Sequence, residues 1–185
     1  MLYIHIYQSP LGNIELFSDA KALVGLQFEG QKYAIHGSEV DASRPDLPIF
    51  QQTTTWLDAY FRGANPGLPP PLKLQGTPFR LEVWRMLQSI PYGTTITYGT
   101  LARTMAYKCG KKSMSAQAIG GAVGHNPISI IIPCHRVVGS RGNLTGYAGG
   151  IERKKKLLAI EASSLHQALW NKSKRHLSRF YFSHR

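Results

Sequence analysis

The stretch "ANPGLPPPLKLQG", Ala64 to Gly76, constrains the fold more than any other part of the chain. Pro69, Pro70 and Pro71 each fix φ at about −65° and have no amide hydrogen to donate. Such a run stays extended and belongs neither in a helix nor in the middle of a sheet. The 185-residue chain therefore divides here. An N-terminal unit at 1–76 ends in the Pro-rich linker, a second unit spans 77–162, and a basic tail occupies 163–185.

Ahead of the prolines, "LYIHIYQS", "GNIELFSD" and "ALVGLQFEG" read as three short strands. Turns at Pro10 to Asn13 and Asp19 to Lys21 separate them. "LPIFQQTTTWLDAYFRG" then puts Leu47, Phe50, Thr54, Leu57 and Phe61 on one helical face and stops at Gly63. The expected unit is a three-stranded sheet carrying one helix.

Behind the prolines the pattern turns helical. Thr77 is a good N-cap and Pro78 suits a first helical position. Phe79, Val83, Met86, Leu87 and Ile90 form the apolar face of that helix. Thr97 can cap a second helix, "YGTLARTMA". The basic turn "YKCGKKS" leads into a third, "MSAQAIGGAV". Two short helices about a turn predict a helix-turn-helix. "ISIIIP" reads as a buried strand and "IERKKKLLAIEA" as a last amphipathic helix. The tail "SLHQALWNKSKRHLSRFYFSHR" fits a docked helix or a loose segment equally well. The fold class is α+β, with the strands first and the helices after.

A 43% hydrophobic composition supports a packed core. The start, "MLYIHIYQSPLG", lacks the basic and apolar blocks of a signal peptide, and no apolar run is long enough to cross a bilayer. A cytoplasmic protein without a membrane partner is expected. With only Cys109 and Cys134, no disulfide framework is expected either. The net charge of +12 is unevenly placed. Up to Gly76 acidic residues slightly outnumber basic ones. After Tyr98, Arg103, Lys108, Lys111, Lys112, Arg136, Arg141 and Arg153 to Lys156 face only Glu152 and Glu161. A basic half points to a polyanion, with nucleic acid first among candidates; a solvated lysine-rich surface is the alternative.

The chemistry concentrates in "SIIIPCHRVVGSRG". A free thiol titrates near about 8.5, so a cysteine nucleophile needs a base or cation beside it. His135 and Arg136 follow Cys134 directly, but neighbours on an extended strand point to opposite faces. His135 can serve Cys134 only if the chain turns there or a water bridges them. An inert core cysteine is the other reading. No ligand spacing supports a metal site. The helix "SAQAIGGAV" is nearly without side-chain bulk, although each interior glycine costs about 1 kcal/mol relative to alanine. Either it packs closely on a neighbouring helix, or it approaches another backbone such as a nucleic-acid groove.

Taken together, "NPISIIIPCHRVVGSRGNLTGYAGG", the preceding "AIGGAVGHNP", and the upstream "GTPFRLEVW" and "IPYGTTITYG" resemble the O6-alkylguanine-DNA alkyltransferases, the methylated-DNA–protein-cysteine methyltransferases. The resemblance runs from "SPLGNIELF" to "LLAIE" and leaves only the tail unmatched. It implies a ribonuclease-H-like N-terminal domain and a winged-helix-like C-terminal one. It also implies direct reversal of damage: duplex DNA carrying O6-alkylguanine is bound, the lesion is swung out of the stack, and its alkyl group passes to a cysteine. A base inside a duplex cannot reach a protein sulfur, so extrusion is required. The resemblance therefore implies a stable thioether product, one turnover per molecule and no cofactor; a monomer is expected.

Carried over by position, Cys134 is the acceptor, His135 the base acting through a water, and Glu161 the group that orients His135. Asn126 fixes the turn that places them. Tyr98 crowds the target phosphate; Ser115, Ala116, Gln117 and Gly120 lie on the helix that enters the minor groove; Arg136 and Ser140 add DNA contacts. Val123, Val137, Tyr147 and Ala148 line the base pocket. Three departures stand out. Gln117 occupies the place of an arginine that often fills the gap left by the flipped base, which implies weaker flipping. The turn "AYKCGKKSM" is longer than in many relatives. Lys156 and Ile160 replace a tryptophan and a histidine common there. A lesion-flagging relative would lack the acceptor, which Cys134 supplies. A sequence-reading regulator would want more polar side chains than Ser115 and Gln117 on its second helix. A cysteine hydrolase would want an oxyanion hole that the sequence does not show.

Overall fold

The computed structural model describes residues 1–33, 40–41 and 44–163. β1 (Leu2–Ser9), β2 (Gly12–Ser18) and β3 (Leu23–Phe28) form an antiparallel meander. A two-residue strand that the sequence did not reveal, β4 (Val40–Asp41), runs parallel to β1, giving the order β3-β2-β1-β4. Ile14 and Leu16 alternate into the core from β2, and Leu23, Leu26 and Phe28 join them from β3.

The prolines do leave an extended segment, but it is docked. Leu23 N–H donates to the Pro71 carbonyl at 2.8 Å and Lys73 N–H returns to Leu23 at 2.9 Å, an isolated parallel bridge along β3. Further along the same edge, Leu26 bridges Ile128, with Ser129 N–H on the Leu26 carbonyl at 2.7 Å. The exposed edge of β3 is thus covered, and these pairings tie the sheet to the linker and to the C-terminal unit.

α1 (Pro48–Phe61) buries Ile49, Phe50, Thr53, Leu57 and Tyr60. The predicted face is one residue out at two positions. Thr54 and Phe61 are half-buried, and Thr53 and Tyr60 take the interior places. Both polar groups are satisfied there. Thr53 Oγ1 bonds to the Ile49 carbonyl at 2.7 Å, and the Tyr60 hydroxyl reaches a buried carboxylate.

The first two helices after the linker start where their caps predict, and the third starts two residues later than expected, at Ala116. The Thr77 hydroxyl accepts from Arg80 N–H at the head of α2 (Pro78–Gln88), and that of Thr97 from Thr100 N–H at the head of α3 (Tyr98–Lys108). Ser115 accepts from Gln117 and Ala118 at the head of α4 (Ala116–Gly124). Trp84, which the α2 pattern omitted, is buried and donates to the Ala122 carbonyl at 2.9 Å, locking α2 to α4. α3 and α4 pack as a pair about the turn at 109–115.

"ISIIIP" is not a strand. Only Ile128 bridges; a turn comes next in which Ile130 takes φ of 67°, and the segment stays buried throughout. The turn survives burial because Asn126 replaces a strand partner. Its amide accepts from Ile128 N–H at 3.1 Å and donates to the carbonyls of Ile128 and Ile132 at 3.2 and 2.8 Å. Past it, β5 (Ile96–Thr97) and β6 (Val137–Val138) form a short parallel ribbon, and α5 (151–163) closes the fold. Among the described residues no helix is long and apolar enough to cross a membrane. The tail from 164 onward lies outside the described residues.

Candidate active site

Cys134 begins a 3-10 turn, Cys134–Arg136, rather than ending a strand. This is the bend that the sequence required if His135 was to serve Cys134. The thiol is 4% exposed, and Asn126 Nδ2 donates to Sγ at 3.1 Å. The amide that shapes the Ile128–Ile132 turn therefore also positions the sulfur. Burial raises the thiol pKa. The Asn126 hydrogen bond, the Lys154 ammonium and the N–H groups of the turn oppose that shift without cancelling it. Sγ therefore rests as a thiol and needs a base before it can act.

His135 lies beside it, fully buried. Nε2 is 2.7 Å from Glu161 Oε1 and 3.3 Å from the Tyr60 hydroxyl, while Nδ1 makes no hydrogen bond among the described residues. Burial lowers the imidazole pKa; Glu161 raises it in part and Arg136 pushes it down again. A neutral ring with an uncommitted Nδ1 is suited to accept a proton.

Glu161 comes from α5, 26 positions away in sequence, and is 0% exposed. Its carboxylate accepts from His135, from Arg136 Nε at 2.9 Å and Nη2 at 3.0 Å, from the Tyr60 hydroxyl at 2.8 Å, and from Gly93 N–H at 2.8 Å. Burial alone would raise its pKa. The bonds and charges of His135 and Arg136 overcome that and hold it at about 2.

Arg136, expected to contact DNA, turns its guanidinium inward. Its guanidinium is buried with the residue at 8% exposure, paired with Glu161, and donates from Nη1 to the Ile90 carbonyl at 2.7 Å. Its donors are spent on the interior instead of facing outward to a phosphate. Lys154, a member of the basic cluster in the sequence, is also internal at 0% exposure. Its ammonium donates to the carbonyls of Val137, Thr145 and Gly146 at 2.6, 3.0 and 3.3 Å, which fastens the 139–147 loop to α5. Burial lowers its pKa to about 8.

Cys134 opens into a cleft of about 1030 Å³. Tyr98, Gln117, Val123, Tyr147 and Ala148, which the sequence assigned to DNA contact or to the base pocket, line this cleft together. The Val137 side chain is fully buried, and its carbonyl accepts from Lys154. The Tyr98 hydroxyl lies 3.3 Å from the Gly146 carbonyl, joining the head of α3 to the opposite wall. Burial raises that phenol to about 12.

The bare face of α4 forms one side of this cleft through Ala116, Gln117, Gly120, Gly121 and Gly124. A Cβ on Gly121 would meet nothing within 4 Å, and one on Gly120 only Tyr98, at 4.0 Å. Packing within the chain therefore does not demand glycine there, and the reading as a surface for close approach from outside gains support. Ser115 and Ala116 are exposed at the head of α4, and Ser140 is exposed on the turn Ser140–Gly142. Cys109 is exposed and Cys134 buried, both as free thiols.

Sequence reasoning missed Tyr60, Lys154 and the Gly93 N–H. A signal existed for two of them. Lys154, Leu157 and Glu161 recur at helical spacing, so a lysine and a glutamate share the apolar stripe of α5. Tyr60 shares a stripe with Thr53 and Leu57.

A compact sheet unit joined to a helix-turn-helix unit, with a turn-borne Cys-His pair and a distant glutamate behind it, defines a nucleic-acid-directed protein built around a cysteine nucleophile. The family model described as "6-O-methylguanine DNA methyltransferase, DNA binding domain" matches residues 78–163. The model of its ribonuclease-like domain matches residues 2–73. The chain belongs to the 6-O-methylguanine DNA methyltransferase family. It is 39% identical over 161 residues to a methylated-DNA–protein-cysteine methyltransferase of Haemophilus influenzae, covering 86% of both chains. It is 40% identical over 167 residues to one of Mycobacterium tuberculosis, covering 88% of this chain and 94% of the other. The crystal structure of Mycobacterium tuberculosis OGT in complex with DNA is similar, with a TM-score of 0.74 at 39% identity, covering 88% of this chain and 94% of that one.

Proposed function

We propose that the protein repairs DNA by moving the alkyl group of an O6-alkylguanine in a duplex, chiefly O6-methylguanine, onto Cys134. The observation that carries this reading is the geometry of one buried cluster. Cys134 Sγ opens into the cleft and is held by Asn126 at 3.1 Å, while His135 is held by Glu161 at 2.7 Å with Nδ1 uncommitted.

The chemistry is built on that cluster. His135 Nδ1 takes the thiol proton through a water. The thiolate attacks the alkyl carbon in line, an S–C bond forms, and the C–O6 bond breaks with its electron pair passing to the base. The proton drawn from the thiol restores neutral guanine on release. Glu161 stays ionised throughout and stabilises the transient imidazolium, while Arg136 holds Glu161 in its ionised form. The thioether has no leaving tendency, so each molecule acts once. The cleft is wide enough for a guanine, and the bare α4 face allows the minor groove to approach while the lesion is extruded. Tyr98 presses on the target phosphate. Gln117, exposed at the head of α4, occupies the space the base leaves. Ser115, Ala116, Gly120 and Ser140 contact the backbone, and Val123, Tyr147 and Ala148 receive the base. The protein acts as a monomer in the cytoplasm, and its domains divide at 76 and 162.

Cys134→Ser tests the assignment. It should abolish loss of the lesion from an O6-methylguanine duplex while leaving duplex affinity within about threefold of wild type. Retained transfer in Cys134→Ser would remove Cys134 from the acceptor role.

A further inference from the structure

Tyr60 belongs to α1, on the N-terminal side of the linker, yet its ring lies against the relay. The residue is fully buried. Its hydroxyl donates to Glu161 Oε1 at 2.8 Å and stands 3.3 Å from His135 Nε2. The ring meets His135 edge-on, with centroids 6.4 Å apart, and meets Tyr92 likewise at 5.9 Å. A phenylalanine would fill the same space. What tyrosine adds is one O–H on the carboxylate that serves His135.

That hydroxyl has a definite orientation. Glu161 is ionised and its Oε1 is the nearer acceptor, so the Tyr60 hydrogen is committed to it. The face that Tyr60 turns to His135 is then a lone pair. Nε2 sees two acceptors, Glu161 Oε1 and Tyr60 Oη, and must itself carry the hydrogen. The lone pair of the ring is left on Nδ1, the nitrogen without a partner among the described residues. Tyr60 also occupies part of the acceptor capacity of Glu161, and a carboxylate that accepts more hydrogen bonds draws less strongly on any one proton.

We propose that Tyr60 is a positioning residue for alkyl transfer: a hydroxyl from the N-terminal unit that fixes the His135 tautomer and tempers the pull of Glu161 on its proton. This rests on the assignment of Cys134 as acceptor and His135 as its base.

The charged groups acting on His135 are Glu161 and Lys154 on α5 and Arg136 in its own turn, where Cys134 precedes it; Tyr60 on α1 meets its ring, and Tyr92 after α2 and Tyr147 face Tyr60 in turn. Removing the Tyr60 hydroxyl leaves the cations Arg136 and Lys154 in place and strips one donor from Glu161. The carboxylate then favours the imidazolium more, and His135 keeps its proton to a higher pH. Transfer needs the neutral ring, so the acid limb of its rate profile moves upward.

The test uses the full chain with Tyr60→Phe and follows single-turnover methyl loss from an O6-methylguanine duplex across the range from about pH 5 to about pH 9. The expected result is a midpoint raised by about one pH unit, with rates about five- to tenfold lower on the acid limb and converging on wild type at high pH. An unchanged profile overturns the proposal. So does a uniform loss at every pH, which is what a packing role would give. A second measurement needs neither the variant nor turnover. Long-range 1H–15N correlation on the wild-type His135 ring should show the Nε2–H tautomer, and an Nδ1–H ring overturns the proposal. If wild type itself transfers nothing, the acceptor assignment fails instead. The His135 ring signals of wild type and Tyr60→Phe then decide the role of Tyr60: a raised titration midpoint in the variant supports it, and identical behaviour overturns it.

Discussion

Glu161→Gln removes one charge from the most heavily bonded side chain in the site, and the structure sets the size of the effect. The glutamine amide keeps the shape and one acceptor oxygen, but it leaves the buried Arg136 guanidinium without a counter-charge and turns an NH2 toward donors. Breaking a buried ion pair from one side costs about 3–5 kcal/mol. An independent route gives a similar figure. A carboxyl held at about 2 instead of its usual 4.5 corresponds to about 3 kcal/mol of stability. The sign is fixed by the direction of that shift. Because the folded pKa is depressed, the contribution is complete above 4.5 and is lost as pH falls toward 2. Urea unfolding followed through the fluorescence of buried Trp84 reads both aspects. At pH 7 the variant should be less stable by about 3–5 kcal/mol, a fall in Tm of about 6–20 °C for a chain of this size. The gap between variant and wild type should hold above about pH 5 and narrow progressively below it. A gap under about 1 kcal/mol at pH 7, or one that stays constant down to about pH 3, would refute the account of Glu161 as a fully engaged buried anion.

Other perturbations probe the same geometry. Asn126→Asp places a negative charge at the sulfur and breaks the amide's donations to the turn; iodoacetamide labelling of Cys134 and methyl transfer should both slow by about tenfold or more, and unchanged labelling would show that Asn126 does not govern the thiol. Lys154→Met keeps the bulk but frees the carbonyls of Val137, Thr145 and Gly146; stability should fall by about 2–4 kcal/mol in urea unfolding, with faster hydrogen exchange in the 139–147 loop. Gly149→Ala would bring a Cβ within 2.8 Å of Tyr147 and 3.0 Å of Phe28; Tyr147 must shift, and calorimetry should show a loss of about 1–3 kcal/mol together with slower transfer.

Legibility in the sequence depends on how local each feature is. The hairpin strands, the caps at Thr77 and Thr97, and the extended backbone at the prolines all rest on neighbours in the chain, and each lies where its residues implied. The buried strand at "ISIIIP" failed because apolar content cannot distinguish a ladder from a turn satisfied by one nearby amide. Arg136 read as a surface cation because its partner, Glu161, lies 25 positions on. The stripe Thr53, Leu57 and Tyr60 marks Tyr60 as interior, but its partner was out of reach for the same reason: it meets Glu161 across 101 positions and across the linker. Pairing of Cys134 and His135 with Glu161 came from the family resemblance, since no spacing in the chain predicts it. The charge count overstated the basic surface, because Arg136 and Lys154 serve the interior.

The central claim is that Cys134 accepts an alkyl group from DNA. Mass spectrometry of peptides, after mixing the protein with a duplex carrying one O6-methylguanine, tests it most directly. The account predicts that the peptide containing Cys134, and not that containing Cys109, gains the mass of one methylene in step with loss of the lesion. A protein that binds the duplex while the Cys134 peptide keeps its mass would contradict it.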